Sequence, residues 1–339
     1  MRRHSQIDML MRICACSAVI VACAAILAGC GASGDDSPDD PIAAAAEVNE
    51  AVFPTTDGKK TFGDLQREVR AMQDATLLPA ANNFVADREN RLPFGLFDAD
   101  RKPIWGPTVM YLSAGTDAPA SGPYPVTPHD FDVPTEFQSE TSKGDLNAVG
   151  NGFYTAMIPP AERGDKVNVL TLTETDDGFQ AAATGITLAE KDPTVAPGDR
   201  VPAIDTPTLD DVDGDARKLS TRVPPADMHE ISLKDALKQN KPIVLLFATP
   251  KLCASRVCGP IVDVAASVQA NTGDDVIFIH NEIYKNNDLN AGNMPQVDAF
   301  GLTSEPYTFV IGADGRVVEQ LQGPFVADEL ESALEKAQQ

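Results

Sequence analysis

Two cysteines, Cys253 and Cys258, carry the clearest chemical potential in this chain, because they lie between a strand pattern and a helix pattern. Residues 242–247 form an apolar run typical of a buried β-strand, and residues 261–268 have the periodicity of a helix. A helix N-terminus favours the thiolate, which is the nucleophilic form of cysteine. We therefore expect these cysteines to form one disulfide or one redox couple at the start of a helix.

The N-terminal segment predicts export and lipidation. Residues 1–29 have a basic start, an apolar core and the ending Leu27-Ala28-Gly29 directly before Cys30. This ending resembles the lipobox of bacterial lipoproteins, in which the signal is cleaved before a cysteine that then carries lipid. The apolar core is too short for a stable transmembrane helix. We expect residues 1–29 to be a lipoprotein signal peptide and Cys30 to anchor the protein at the cell membrane, on its extracytoplasmic face.

Cleavage of that signal simplifies the cysteine count. The chain has six cysteines, of which three lie in the signal and one is Cys30. Cys253 and Cys258 are then left alone in an oxidising compartment, where neighbouring thiols most simply pair with each other.

Composition limits the binding partners. The formal net charge is -23 and the pI is about 4.4, which argues against nucleic acid and anionic membrane surfaces as binding targets. With 339 residues and 43% hydrophobic content, the chain can build two domains with real cores.

The N-terminal half predicts a linker, a helix and a β-domain. Residues 30–57 are rich in Asp, Ser, Pro and Ala and predict a disordered acidic linker. Residues 58–76 predict a short helix over residues 62–73, with Thr61 and Asp64 as its capping pair. Residues 77–193 contain short alternating segments separated by turns and no clear helix, which predicts a small all-β sandwich of immunoglobulin-like type. We expect this domain to be a spacer or an interaction module, and its His129 to be solvated in a Pro-rich loop.

The C-terminal part, residues 194–339, predicts a linker followed by an α/β domain. Strands over 243–247, 275–280, 307–311 and 316–321, with helices after Pro260 and over 326–337, give a βαβ unit followed by ββα. This order predicts a mixed sheet flanked by helices. Residues 202–209 resemble the approach strand found before many periplasmic thioredoxin-like domains, and Ser232 is expected to cap a helix over 233–239.

Residues from about 200 to 339 resemble the thioredoxin-like superfamily, close to extracytoplasmic thiol-disulfide proteins and peroxiredoxins. The resemblance rests on the strand followed by cysteines, on Pro306 before a strand, and on the hairpin over residues 308–317. It implies that Pro306 is cis and packs beside the active sulfur. A peroxiredoxin-like activity fits less well, because Thr249 lies four residues before Cys253 rather than three.

The cysteine spacing departs from that of thioredoxins, whose cysteines are three residues apart. Five residues of helix rise by about 7.5 Å, whereas a disulfide needs Cα atoms within about 7 Å. A Cys253–Cys258 bond therefore requires irregular backbone, and Pro260 suits the first turn of a helix that begins near Gly259. The distance from the strand favours Cys253 as the nucleophile, while the sequence Cys258-Gly259-Pro260 favours Cys258.

Other candidate residues lie near the cysteines. Arg256 is a candidate for stabilising a thiolate, so the predicted catalytic set is Cys253, Cys258, Pro306 and Arg256. His280, followed by Glu282, ends the second strand, and His280 with the two cysteines is a candidate copper site.

The favoured hypothesis is a membrane-anchored thiol-disulfide oxidoreductase that needs no cofactor and acts on protein thiols or disulfides. The alternatives are a non-catalytic binding lipoprotein with a structural disulfide, a copper-delivery protein and a peroxiredoxin-like protein.

Replacement of the lipidated cysteine tests the predicted anchor. Cys30→Ala should move the protein from the membrane fraction to the soluble fraction, because the acceptor of the lipid is lost, while Cys253→Ala should stay membrane-bound. Fractionation with immunoblotting measures both. A Cys30→Ala protein that is fully processed and still membrane-bound would show that the lipoprotein interpretation is wrong.

Overall fold

The structure, a computed structural model, describes residues 40–69, 72–160 and 166–339. The predicted signal peptide and Cys30 lie outside this part of the chain. Within the described ranges, no helix combines the length and the apolar composition needed to cross a bilayer.

The N-terminal part builds two β-sheets and three helices. Its elements are α1 Pro41–Ala45, α2 Phe62–Val69, β1 Gln73–Asp74, β2 Thr76–Pro79, β3 Phe84–Val85, β4 Asn90–Phe97, β5 Thr108–Ser113, β6 Ser121–Pro125, β7 Thr127–Asp130, α3 Glu140–Val149, β8 Gly152–Ile158, β9 Lys166–Thr175 and β10 Gly178–Ala189. The first sheet has the order β1-β10-β9-β5-β6, with β3 also paired to β10. The second sheet has the order β2-β4-β8-β7.

Both faces of the second sheet contribute residues to hydrophobic cores, as β8 illustrates, although Met157 on one of these faces is exposed. Side chains alternate between the two faces of a strand. Tyr154, Ala156 and Ile158 lie in the hydrophobic core shared with the first sheet. Phe153 points the other way and lies in a core shared with the C-terminal part. The prediction of paired short strands in this region is confirmed in these general terms.

Helix α3 was not expected from the sequence. The side chain of Ser139 caps it by accepting a hydrogen bond from Ser142 N at 3.1 Å, and Gly150 ends it in the left-handed conformation with φ of 69°. Both are standard helix-end signals. They lie in a polar stretch whose hydrophobic pattern is weak, so the region between the strands is not all-β.

The structure also differs from the predicted linker over residues 40–57. Ile42 and Phe53 are buried, and the Phe53 ring contacts that of Phe179 with 5.3 Å between centroids. Thr56 Oγ1 donates to Gly122 O at 2.7 Å. Ile42 therefore packs against the second sheet, near Gly152, and Phe53 packs against the first, so residues 40–57 differ from the predicted disordered linker.

Helix α2 is capped as predicted but shorter. Thr61 and Asp64 exchange side-chain hydrogen bonds with each other's backbone N–H, both at 3.1 Å. The helix ends at Val69 and does not reach Gln73, which pairs with Gln180 in the first sheet. Pairing with a strand therefore overrides the helical propensity of this residue, which is favourable but small in energy.

The C-terminal part forms a third sheet with helices on both faces. Its elements are α4 Leu233–Ala236, β11 Ile243–Phe247, α5 Cys258–Thr272, β12 Ile277–Asn281, α6 Pro295–Ala299, β13 Tyr307–Ile311, β14 Val317–Gln322 and α7 Ala327–Ala337. The strand order is β12-β11-β13-β14; β11 and β12 are parallel, and the other pairs are antiparallel. The predicted mixed sheet flanked by helices is confirmed. Residues 202–208 belong to none of the described strands, so the predicted leading strand is wrong.

Ser232 caps α4 by accepting a hydrogen bond from Asp235 N, as predicted, although the helix ends at Ala236.

Strand β11 shows why an uninterrupted apolar run is needed before the cysteines. Val244 and Leu246 pack in the core that contains α5 and α7 residues, and Leu245 and Phe247 pack in the opposite core with α4 and α6 residues. A strand with helices on both faces is buried throughout.

A buried polar cluster joins α5 to the N-terminal part. Asp263 on α5 is fully buried. Its carboxylate accepts hydrogen bonds from Ser139 N at 2.9 Å and from Arg222 Nε at 2.7 Å. It also accepts from the Ser139 hydroxyl and from the Ser142 hydroxyl. The helices approach closely, because a Cβ on Gly259 would lie 3.2 Å from Ser142 Cα. We call these residues (Ser139, Ser142, Arg222 and Asp263) the Asp263 cluster.

Removal of the charge at Asp263 should strongly destabilise the fold. Asp263→Asn leaves the buried Arg222 guanidinium without its counter-ion, and breaking a buried ion pair costs about 3–5 kcal/mol. Chemical denaturation measures the free energy of unfolding. As a control, Lys336→Ala removes the exposed Lys336–Glu319 pair and should cost less than about 1 kcal/mol. Equal effects of the two variants would contradict the role of the Asp263 cluster.

Candidate functional site

The site is a disulfide between Cys253 and Cys258, with the two Cα atoms 6.0 Å apart. Cys253 lies in a turn after β11, and Cys258 is the first residue of α5. Between them Arg256 has a left-handed φ of 60°, which is uncommon for a residue other than glycine. The expected irregular backbone is therefore found, but only Cys253 lies in the loop, because the helix begins one residue earlier than predicted.

The two cysteines differ in exposure as whole residues. Cys258 is fully buried, whereas Cys253 is half-buried and its Sγ lies 3.2 Å from Ser255 Oγ. The residue before α5, Val257, has no polar side chain to cap the helix. The partial positive charge of this helix end therefore faces the disulfide without a competing side-chain acceptor. A partner would reach Cys253 first.

Glu305, the residue directly before Pro306, lies beside the disulfide. The Glu305–Pro306 peptide bond is cis, as the resemblance implied. A carboxylate oxygen of Glu305 and both cysteine sulfurs lie within 4.8 Å of one another. Burial, and to a lesser degree the Glu282 carboxyl, raises the pKa of Glu305 to about 7. Glu305 therefore places a weakly acidic group against both sulfurs.

Glu282, the residue directly after β12, is the other buried carboxyl group that acts on Glu305. Its Oε1 accepts from Thr221 N at 2.6 Å and from Thr221 Oγ1 at 2.8 Å. Burial raises the pKa of Glu282. Glu305 Oε2 is buried and accepts no hydrogen bond from any described residue. Buried acceptors of this kind are costly unless protonated or bound by a ligand.

His280 does not join the sulfurs. Its Nε2 lies 2.9 Å from Ala248 O, and within the described part of the chain the group of possible metal ligands at the disulfide contains Glu305 instead. The predicted set of Cys253, Cys258 and His280 is therefore not brought together. Burial lowers the pKa of His280 to about 4 and that of the adjacent His229 to about 3.

Two other residues differ from expectation. Arg256 is largely exposed and its Nη1 lies 3.4 Å from Asp145 Oδ1 on α3, so its recorded ion pair is with a helix of the N-terminal part. His129 lies in β7 rather than in a solvated loop; its ring stacks on Phe153 with 5.0 Å between centroids, and Nε2 lies 2.7 Å from Thr155 Oγ1. Burial lowers the pKa of His129.

The chain matches no protein-family model, and no curated protein matches its sequence.

Glu305 is the site residue that the sequence reasoning missed. Its signal was its position directly before Pro306, the residue that the resemblance placed beside the sulfur. A side chain one residue away from such a proline also borders the site, so a carboxylate there could have been included.

The buried histidines should make stability depend on pH. An unfolded histidine binds a proton near pH 6.5, whereas His229 and His280 resist protonation until about pH 3 and 4. Between these values the unfolded histidines bind more protons, so their contribution to the free energy of unfolding should fall as the pH falls from 7 to 4, whereas Glu305, whose pKa is raised, contributes in the opposite direction.

Denaturant unfolding at a series of pH values measures this dependence. His229→Gln should show a shallower loss of stability towards acid, because one of the two buried groups no longer titrates in the unfolded state. Equal slopes for the variant and the natural protein would contradict the assignment.

Proposed function

We propose that this protein is a membrane-anchored, extracytoplasmic thiol-disulfide oxidoreductase whose reactive pair is Cys253 and Cys258. The observation that carries the proposal is the disulfide at the N-terminus of α5, in which Cys258 is a fully buried residue, Cys253 is a partly exposed residue in the preceding loop, and a carboxyl group lies beside both sulfurs. A disulfide that served only to hold the chain together would not need a titratable group against its sulfurs.

The C-terminal fold supports a thioredoxin-like assignment. The helix α5 between the two parallel strands and the antiparallel strands β13 and β14 agree with the βαβ and ββα order predicted from the sequence, and the bond before Pro306 is cis, as the resemblance implied. The two sheets of the N-terminal part share one core, in agreement with an immunoglobulin-like sandwich to which α3 has been added.

The reaction follows from the accessibility of the sulfurs. The Cys253 thiolate attacks one sulfur of a partner's disulfide, a mixed disulfide forms, and the partner's other sulfur leaves as a thiolate. Cys258 then attacks Cys253 Sγ, which releases the second partner sulfur and re-forms the internal disulfide. Two electrons pass from the cysteine pair to the partner. The reverse sequence oxidises a partner dithiol.

Glu305 is placed to carry the proton that this exchange moves. Cys258 must lose its proton before it attacks, and its sulfur is buried away from water. A carboxylate within 4.8 Å can accept that proton and return it to the departing thiolate. Proteins that carry exposed thiols or disulfides on the same side of the membrane are the proposed partners, and lipid on Cys30 is the proposed anchor.

Single cysteine variants test the mechanism. Cys258→Ser should accumulate mixed disulfides through Cys253, because the half-buried sulfur still attacks but the resolving thiol is absent. Cys253→Ser should trap few or none, because Cys258 is fully buried. Non-reducing gels and mass spectrometry of alkylated protein measure the trapped species.

The rival interpretation, a structural disulfide in a binding protein, predicts a different pair of results. Neither variant would trap a partner, and the reduction potential of the pair would lie below about -300 mV, as it does for structural disulfides of secreted proteins. A markedly higher potential with trapping by Cys258→Ser alone would support exchange.

A further inference from the structure

We propose that the reduced form of this site binds a single Zn²⁺ ion through Cys253, Cys258 and Glu305. In the part of the chain that the structure describes, these three residues are the one group whose histidine, cysteine or carboxylate ligand atoms lie within 4.8 Å of one another. The inference requires only that the disulfide can be opened to a dithiol, and it holds whether or not the protein exchanges disulfides with partners.

The donor positions fit a tetrahedral ion once the disulfide opens. Zn–S bonds of about 2.3 Å and Zn–O bonds of about 2.0–2.2 Å place the donors of a tetrahedral site about 3.5–4 Å apart. In the disulfide form, a Glu305 carboxylate oxygen and both sulfurs already lie within 4.8 Å of one another. Separation of the two sulfurs to about 3.5–4 Å would keep both of them within reach of this oxygen. The Cys253 loop can supply this movement because its turns are held by few backbone hydrogen bonds, such as Arg256 N to Cys253 O at 3.4 Å.

The chemistry of the donors favours zinc. Two thiolates and one carboxylate form a three-ligand set of mixed softness, which suits Zn²⁺ and leaves a fourth position for water or a substrate group. Cu⁺ prefers a set of soft ligands alone. A bound cation would also satisfy the buried Glu305 Oε2, which accepts no hydrogen bond from the described residues.

Binding follows a balanced sequence. An external dithiol passes two electrons to the Cys253–Cys258 disulfide and becomes a disulfide itself, leaving two protein thiols. Zn²⁺ then displaces two thiol protons to the solvent, and a third if Glu305 is protonated. Because the ion binds only the reduced form, free Zn²⁺ at a hundredfold excess over its Kd should raise the midpoint potential of the pair by about 59 mV, at 29.6 mV per tenfold.

Metal titration of the full chain tests the inference. Protein reduced with a non-chelating phosphine should bind one Zn²⁺ in competition with a chromophoric chelator, and Co²⁺ as a probe should give a thiolate-to-metal charge-transfer band. Oxidised protein should bind neither ion at this site. Glu305→Gln should weaken Zn²⁺ binding at least about tenfold, the lower limit found even for loss of groups that only support a ligand.

Matched variants separate a direct ligand from a general charge effect. Glu319→Gln removes a carboxylate from β14, where it pairs with Lys336, and should leave the affinity unchanged. Circular dichroism confirms that each variant is folded. Glu305→Asp, which keeps a carboxylate on a shorter side chain, should recover part of the affinity.

Three results would overturn the inference: equal Zn²⁺ affinity of Glu305→Gln and the natural protein, equal affinity of oxidised and reduced protein, or loss of binding in His280→Gln with binding kept in Glu305→Gln. The trapping experiment remains a separate test. Mixed disulfides without zinc binding would contradict the proposed metal site alone. Zinc binding without mixed disulfides would contradict the proposed exchange function alone.

Discussion

The buried carboxylate of Asp263 is the interaction on which the arrangement of the whole site depends. It lies on α5, the helix that Cys258 begins, and binds the N-terminus of α3 together with Arg222 from the connecting segment. Arg222 in turn donates to Phe137 O at 2.6 Å and to Pro224 O at 2.5 Å. A charge buried this completely is tolerated only with its full set of partners. The position of the N-terminal part on α5 is therefore specified by the directional hydrogen bonds of Asp263 as well as by apolar contacts.

This docking makes the N-terminal sheets part of the surroundings of the cysteines. A cavity of about 750 Å³ is lined on one side by Leu78, Phe97 and Arg101 from the strand region and on the other by Ala254 and Arg256 from the cysteine loop. A second tie lies nearby, where Arg91 on β4 binds Glu329 on α7 through two contacts of 2.8 and 2.9 Å. Surfaces from the N-terminal and C-terminal parts therefore meet at the residues that directly follow Cys253.

Strands and the mixed third sheet could be predicted because their apolar periodicity is strong; residues 243–247 and 307–311 matched β11 and β13 residue for residue. Helix α3 and the packed segment 40–57 could not, because their stability comes from caps and a few tertiary contacts, such as Phe53 with Phe179. The cysteine pair was readable from spacing and context. The roles of His280 and Glu305 depended on which side chain points towards the sulfurs, and that is decided by β-register and the turn before Pro306, neither of which local sequence specifies.

The two proposed uses of Cys253, Cys258 and Glu305, disulfide exchange and zinc binding, would exclude each other. Disulfide exchange needs Cys253 free to attack and Glu305 free to move a proton, whereas zinc would hold both sulfurs and the carboxylate at once. The Cys253–Cys258 disulfide can neither attack a partner's disulfide nor bind zinc until it is reduced by two electrons. Redox state and free metal concentration would together determine which form is present, since zinc stabilises the dithiol and an oxidant removes it. A carboxyl group that borders both sulfurs is what couples these equilibria, because it is the one partner that the two chemistries share with the cysteines.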